Sequence, residues 1–516
     1  MTTEAQAFAP DGWVSSMLAR VERAGNALPH PATLFVLLSA GVMVASAVLA
    51  AAGVSVAHPL TGKAVAVVNL LSVEGAQRLI LNVVPNFMGF GPMGPLLVSM
   101  LGLAVAERSG LLGATVRLII GTARGAGLTW GVVFAGAMSH TAGDVGYVLL
   151  LPLSAALFHA AGRHPLAGLA AAFAGVSGGF AANMLLSPTD FTLAGITQEA
   201  ARLIRPDYVV NGVASYFFLA ASVPLVTMTG ALVTTRVVEP RLGQYTGIVV
   251  PEPMAALTPL ERRGLRSALM ATLLLVSVVL AGLVPVDGLL RDPKAPGLVN
   301  SVFLKGLVFF LFLFGLVPGV VYGRVVGTLR RDTDVYAAMQ ETLSLVSGYV
   351  VVVFFIAQFV ALFGWSNLGV VTAVNGAAWL KSLGLGPIPL LVGLMLLTCV
   401  IDLFLGSASA KWALLGPVLV PMFMLLGYSP ELTQTAYRVG DSLTNIITPL
   451  SSNFPLVLMF LQRYDARAGI GTLTAMMLPY SLVNLVAWML MLVVWVALGW
   501  PTGPGAPLFL PSPGGL

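Results

Sequence analysis

Residues 147–165 read YVLLLPLSAALFHAAGRHP, and residues 412–430 read WALLGPVLVPMFMLLGYSP. The two lines keep an aromatic, two leucines, two prolines and a glycine in register: Tyr147 with Trp412, Leu149–Leu150 with Leu414–Leu415, Pro152 with Pro417, Gly162 with Gly427, Pro165 with Pro430. A shorter echo follows each line, NMLLSP at 183–188 and NIITP at 445–449. One half of the chain is patterned on the other. In an apolar protein, segments broken by Pro and Gly at corresponding places of two halves mark a secondary transporter whose solute binds between the repeats.

The composition agrees with that reading. Apolar residues make up 57% of the 516 and charged residues 9%, against roughly a quarter charged in soluble domains. With a mean hydropathy of +0.92, the chain is expected to be an all-α polytopic membrane protein. The first apolar run, 32–51, follows a polar start holding Asp11, Arg20, Glu22 and Arg23; it is long enough to span and reads as an uncleaved first helix. The lone cysteine, Cys399, rules out an internal disulfide framework or a thiolate metal site. A net charge of +5 points to membrane orientation and not to nucleic acid, because the arginines cluster in short loops.

Hydropathy and turn signals predict nine crossings, near 32–53, 80–106, 165–187, 210–235, 267–290, 299–322, 342–364, 431–454 and 470–498. Two more apolar regions, 126–161 and 387–428, are interrupted at SHTAGD (139–144) and GSASAK (406–411). Each reads as a re-entrant helical hairpin whose tip lines the transport path, since irregular backbone at membrane depth needs protein or a wet cavity around it. With the N-terminus inside, sixteen basic residues fall in cytoplasmic loops and seven outside, which supports that orientation. The hairpins then enter from opposite faces, so the repeats are inverted: 1–245 with hairpin 1, a cytoplasmic linker at 246–266, and 267–516 with hairpin 2.

Seven charged residues remain in or against apolar windows: Asp144, Asp190, Lys305, Asp402, Lys411, Arg438 and Asp441. Such charges are costly unless paired or hydrated, and by default they mark pathways. Ser429 is placed to cap a helix that has Pro430 at its first position and Glu431 in its first turn. On that helix Arg438, Asp441 and Asn445 are spaced three and four apart and share a face. Pro449 then ends it, leaving carbonyls for a cation. The first-half counterparts are Asn183, Ser187, Pro188 and Asp190. The plain structural alternative is that Arg438 only neutralises Asp441 or Asp190. The hairpin tips offer hydroxyls at Ser139, Thr141, Ser407 and Ser409, which with Asp144, Asn183 and Asn445 suit a sodium ion. Trp412, next to the second tip, is a candidate to stack on an aromatic solute, against the commoner role of interfacial anchor. His140 reads as a hydrogen-bonding residue more readily than as a proton relay.

The line SASAKWALLGPVLVPMFMLLGYSPELTQTAYRVGDSLTNIITP (407–449), together with AANMLLSPTD (181–190), resembles the p-aminobenzoyl-glutamate transporter family, AbgT, and the resemblance runs over nearly the whole chain. It implies a homodimeric inner-membrane transporter of nine helices and two opposed hairpins; with the N-terminus inside, as the charge count has it, nine crossings leave the C-terminus on the periplasmic side of the bacterial cytoplasmic membrane. It further implies import of the folate fragment p-aminobenzoyl-glutamate or export of sulfonamide antimetabolites, driven by a sodium or proton gradient. By resemblance, the functional residues are Asp190, Trp412, Pro430 and Arg438, with Ser409 as a hairpin serine. Phe191 and Thr192 depart from the more aliphatic residues usual after that aspartate.

The expectation is therefore a cation-coupled transporter in which Arg438 takes a solute carboxylate, Trp412 stacks its ring, and Asp190 either exchanges protons or holds Arg438. A passive channel would need a continuous polar pore in place of hairpins and repeats. An intramembrane enzyme would need a base–nucleophile pair or metal ligands, and the five histidines show no such spacing.

Overall fold

In hydrocarbon only a helix satisfies its own backbone, and the apolar runs of this chain fold accordingly. The computed structural model describes residues 29–58, 62–121, 125, 127–139, 146–247, 249, 256–285, 287–292, 294, 297–298, 301–451 and 453–510. Among them, eight stretches are long and apolar enough to cross a bilayer.

The described residues open with α1 (Pro31–Ala51) and a two-stranded antiparallel hairpin, β1 (Ser55–Ala57) and β2 (Ala64–Ala66). Helices α2 (Val73–Met88) and α3 (Met93–Arg108) follow, then α4 (Leu111–Gly121). Next come α5 (Gly127–Met138), a π turn (Gly146–Leu150) running into α6 (Leu151–Ala160), α7 (Pro165–Val176), α8 (Pro188–Arg202) and α9 (Tyr216–Val233). The middle of the chain forms α10 (Pro259–Leu283), α11 (Leu307–Val326), α12 (Asp332–Trp365) and α13 (Leu368–Ser382). The earlier order then returns in α14 (Pro387–Asp402), α15 (Ala408–Leu425), α16 (Pro430–Thr444), α17 (Phe454–Tyr464) and α18 (Ile470–Ala497).

The duplicated lines fall on α6 and α15 and end at the first residue of α7 and α16. Both of those helices start the same way. His164 Nδ1 accepts from the Leu166 amide and Ser429 Oγ from the Leu432 amide, with Pro165 or Pro430 at the first helical position, where a missing N–H costs nothing.

Several expectations need correction. The predicted spans 165–187 and 431–454 are not continuous helices: α7 stops at Val176 and α16 at Thr444, and irregular segments separate them from α8 and α17. Proline disfavours helical backbone in the residue before it, so Pro188 and Pro449 hold the chain out of helix on their N-terminal sides. The linker expected at 246–266 is shorter, because Thr258 and Glu261 cap a helix that already begins at Pro259. The break expected at 406–411 lies earlier; Ser407 is the N-cap of α15, so Ser409 and Lys411 are helical. Helix α13 and the β-hairpin were not foreseen.

The outside of the bundle is apolar: Leu269, Met270, Leu273 and Leu274 on α10, or Ile80, Leu81 and Val84 on α2, are all exposed. Surface of this kind is stable only against lipid. Inside, α11 lies directly on α3, where a Cβ on Gly102 would fall 2.2 Å from the Phe312 carbonyl oxygen and one on Gly315 would fall 2.4 Å from Gly102. Small residues let the two backbones touch, the usual source of helix association in membranes.

At the centre, every residue of α7 and every residue of α16 is buried. The two helices differ in chemistry, α7 being apolar and α16 carrying Glu431, Gln434, Arg438 and Asp441. Leu432, Ala436, Val439 and Leu443 of α16 join one apolar cluster with α5, α6, α7, α9, α14 and α18. Tyr437 joins a second cluster with α1, α8, α12, α13 and α15. Helix α16 is thus the seam between two cores. A C-terminal strap closes over its start: the Ser429 amide donates to the Leu508 carbonyl and the Leu510 amide to the Gly427 carbonyl, while Thr502 Oγ1 donates to the Ala214 carbonyl ahead of α9.

Candidate functional site

Asp190 is the third residue of α8, and Arg438 lies in the middle of α16. Arg438 NH1 donates to Asp190 Oδ1 at 2.5 Å, with both side chains 2% exposed. The other carboxylate oxygen, Oδ2, accepts from the Ser187 amide at 2.6 Å, Ser187 Oγ at 3.0 Å and Asn183 Nδ2 at 3.2 Å. Four donors therefore converge on one carboxylate, as burial of a charge requires. The break before α8 supplies three of them. The guanidinium is less well served, because Arg438 Nε is buried with no acceptor among the described residues. A buried, unpaired donor is costly and marks where an anion would be welcomed.

One residue before Arg438, Tyr437 stacks on Trp412 of α15, ring centroids 4.3 Å apart and planes at 24°. The Trp412 indole N–H donates to Thr197 Oγ1 at 2.8 Å, and Thr197 Oγ1 in turn donates to Gln434 Oε1 at 2.6 Å. Thr197 stands two turns along α8 from Asp190. Trp412 is fully buried, so it is no interfacial anchor. A polar chain accordingly ties α8, α15 and α16 along one line.

A second charged cluster lies beyond it. Lys411 Nζ donates to Asp402 Oδ1 and Asp441 Oδ1, all three side chains being fully buried. Thr444 Oγ1 donates to Asp402 Oδ2 at 2.6 Å and Asn445 Nδ2 to Asp441 Oδ2 at 3.2 Å. Asp402 ends α14, Lys411 begins α15 and Asp441 sits on α16, so the cluster straddles the second break. Two carboxylates and one ammonium leave one negative charge in excess.

Of the residues singled out from sequence, the structure brings Asn183, Asp190 and Arg438 together, and separately Asp441 and Asn445. Pro430 starts α16, and Ser407 and Ser409 approach at 3.5 Å between hydroxyls on the α15 cap. Asn183 and Asn445 direct their amide nitrogens at carboxylates and not at the hairpin serines. Ser139 donates to the Gly136 carbonyl within its own helix end. Asp144, His140 and Thr141 lie outside the described residues. Lys305 pairs with Asp292 at 2.8 Å while 59% exposed, which removes it from the interior. Sequence reasoning missed Thr197, Gln434 and Tyr437 and treated Lys411 and Asp402 only as isolated charges. The spacing of Asp402 and Lys411 across a helix break was the available signal. Glu431, read as a first-turn residue, is buried and accepts from the Tyr208 hydroxyl at 3.0 Å. Among the described residues, no group of three or more His, Cys, Asp or Glu side chains forms a metal site.

Membrane-length helices enclosing broken central helices, with ion pairs sealed at their meeting point, define a polytopic membrane protein of the transporter kind. Residues 16–510 match the AbgT putative transporter family. The chain belongs to that family. It is 43% identical over 485 residues to the p-aminobenzoyl-glutamate transport protein of Escherichia coli (strain K12), covering 94% of this chain and 95% of that one. Two solved structures are similar over their whole length. One is the YdaH transporter of Alcanivorax borkumensis, described as having an unusual topology (45% identity, 92% of this chain, TM-score 0.87). The other is MtrF of Neisseria gonorrhoeae, presented as illuminating a class of antimetabolite efflux pumps (46% identity, 95% of this chain, TM-score 0.88).

Proposed function

We propose that this transporter moves p-aminobenzoyl-glutamate, or a similar aromatic solute bearing carboxylates, across the inner membrane by coupling to a cation gradient. The observation that carries the reading is Arg438: buried at the seam, held by Asp190 through one nitrogen, with Nε lacking an acceptor among the described residues. A solute carboxylate would satisfy Nε and compete with Asp190 for the guanidinium, whose planar fork suits carboxylates. The Trp412–Tyr437 stack beside it offers an aromatic face for the solute ring. In this reading Ser409 and Pro430 shape the wall of the site and Asp441 belongs to its charged floor.

Coupling falls to the Asp402–Lys411–Asp441 cluster, where one monovalent cation, sodium or a proton, balances the excess charge. A proton needs no rearrangement there. A sodium ion requires Lys411 to withdraw, since each carboxylate oxygen already accepts from Lys411, Thr444 or Asn445.

The finer architecture belongs to the same reading. Helices α5 and α14, of 12 and 16 residues, are shorter than the roughly 20 residues needed to span, which supports pairing them with α6 and α15 as hairpins entering from opposite faces. The repeats are then inverted, with nine crossings, a cytoplasmic N-terminus and a homodimeric assembly as the family resemblance implies.

Uptake of radiolabelled p-aminobenzoyl-glutamate into proteoliposomes, under an imposed proton or sodium gradient, tests the proposal. Arg438→Ala and Asp190→Asn are each expected to cut flux at least about tenfold, the loss of one charge-assisted bond or more. Unchanged flux in Arg438→Ala removes the proposal. The likeness to MtrF favours a second direction, export of sulfonamides, which the same vesicles report as gradient-driven efflux of drug without uptake of the glutamate conjugate.

A further inference from the structure

A cavity of about 330 Å3 lies away from the Asp190–Arg438 pair, between the end of α2, the C-terminal turn of α8 and the end of α12, with Asn86, Phe90, Glu199, Arg202, Val360 and Trp365 among its walls. Its size falls in the range of roughly 300–1,000 Å3 occupied by small-molecule sites. The cavity exists because α2 stops at Met88 and α3 resumes only at Met93. Helix α8 lies hard against this break: a Cβ on Gly195 would fall 2.8 Å from Pro92 Cγ, and one on Gly91 would fall 3.4 Å from Glu199 Oε1.

The walls combine aromatic surface with a few placed polar groups. Arg202 Nη1 donates to Glu199 Oε1 at 3.2 Å and Nε donates to the Tyr208 carbonyl at 3.3 Å, fixing the guanidinium of a side chain that is 40% exposed. Asn86 Nδ2 donates to Gln358 Oε1 at 2.9 Å and Gln358 Nε2 to the Val83 carbonyl at 3.0 Å, so Asn86 is held in place. The Trp365 ring is fixed in turn by the Arg78 guanidinium, 4.5 Å above it. Rings together with an oriented guanidinium are what an aromatic carboxylate requires. Arg202 is twelve residues along α8 from Asp190, about 18 Å at 1.5 Å per residue, so one small solute cannot occupy both places.

We infer that this cavity is a loading site, in which the aromatic carboxylate rests on Arg202 and Trp365 before it reaches Arg438. The inference rests on the transport reading given above for the Asp190–Arg438 pair. Equilibrium binding and proteoliposome uptake of radiolabelled p-aminobenzoyl-glutamate test it on the full chain. Two molecules are expected to bind per chain, and Arg438→Ala is expected to abolish flux but leave one binding phase. Arg202→Gln is expected to remove that remaining phase and, in the otherwise native chain, to raise KM about tenfold, equivalent to one charged hydrogen bond, with the maximal rate unchanged. Arg202→Lys restores most of the KM, which a merely structural arginine would not do, and Trp365→Leu raises KM with a thermal midpoint like that of the native chain. The loading site is overturned if Arg202→Gln keeps KM within about twofold, if only one phase is ever seen, or if native mass spectrometry finds a phospholipid that the solute does not displace. Failure of the transport reading shows separately, as no gradient-driven flux in the native chain or full flux in Arg438→Ala.

Discussion

Arg438 is where the chemistry of the two halves meets, and its neighbours show how a membrane interior keeps polar groups in order. Trp412 illustrates the point. Its indole N–H is spent on Thr197, its face on Tyr437, and Thr197 passes the bond on to Gln434. Replacing Trp412 by Phe keeps an aromatic face but strands Thr197, at a cost of about 1 kcal/mol. A small fall in the thermal midpoint with a larger fall in uptake is expected, read by thermal unfolding in detergent beside proteoliposome flux. A fall in the midpoint with uptake untouched would leave Trp412 a packing residue.

Helix α16 depends on closeness as much as on charge. A Cβ on Gly440, between Arg438 and Asp441, would meet the Met395 carbonyl oxygen at 2.5 Å, so Gly440→Ala must push α16 off α14. A destabilisation of about 1–3 kcal/mol is expected, with uptake lost while expression persists, checked by chromatography and flux on the same sample. The long helix α12 carries a device outside the bilayer. Asp334 accepts from the amides of Arg331 and Arg330 at 2.8 and 2.7 Å, and these bonds hold its carboxyl below the usual aspartate range. The stabilisation is then complete above the ordinary aspartate pKa of about 3.9 and is lost as pH falls through the lowered value. Amide protection factors at 330–336 should therefore stay high at pH 6 and fall only below about pH 4; in Asp334→Asn they should be low at both. Elements of this kind were partly legible beforehand. Apolar length revealed that the chain is built of membrane-length helices, and Ser429-Pro430 revealed the start of α16, because capping is local chemistry. The end of α16 at Thr444 was not legible, since it depends on packing against α14 and α18 and not on Pro449 alone. The partner of Asp190 was legible only as one of two options, Arg438 pairing with Asp441 or with Asp190, because a carboxylate 248 residues from its arginine leaves no local trace that chooses between them. The pairing of Lys411 with Asp402 and Asp441 was missed although Asp402 is only nine residues away, because it depends on how α14, α15 and α16 meet around the break.

The chain as a whole is held across its seam by covalently distant pieces. The strap at 501–510 ties the turn before α16 to the residues ahead of α9 through the bonds of Ser429, Leu510 and Thr502. Removing 501–510 is expected to cost about 4 kcal/mol, roughly one for each of its bonds to Gly427, Ser429, Ala214 and Phe218, seen as a lower thermal midpoint. The lysine on α15 carries a wider implication for motion. Were that arm to swing alone, it would leave two bare aspartates in a medium that hardly screens them, at a penalty of several kcal/mol. The economical stroke would keep α14, α15 and α16 travelling as one cassette, and a plane opening during turnover would then run along α8, through the Arg438–Asp190 clasp and the bonds of Thr197 to Trp412 and Gln434.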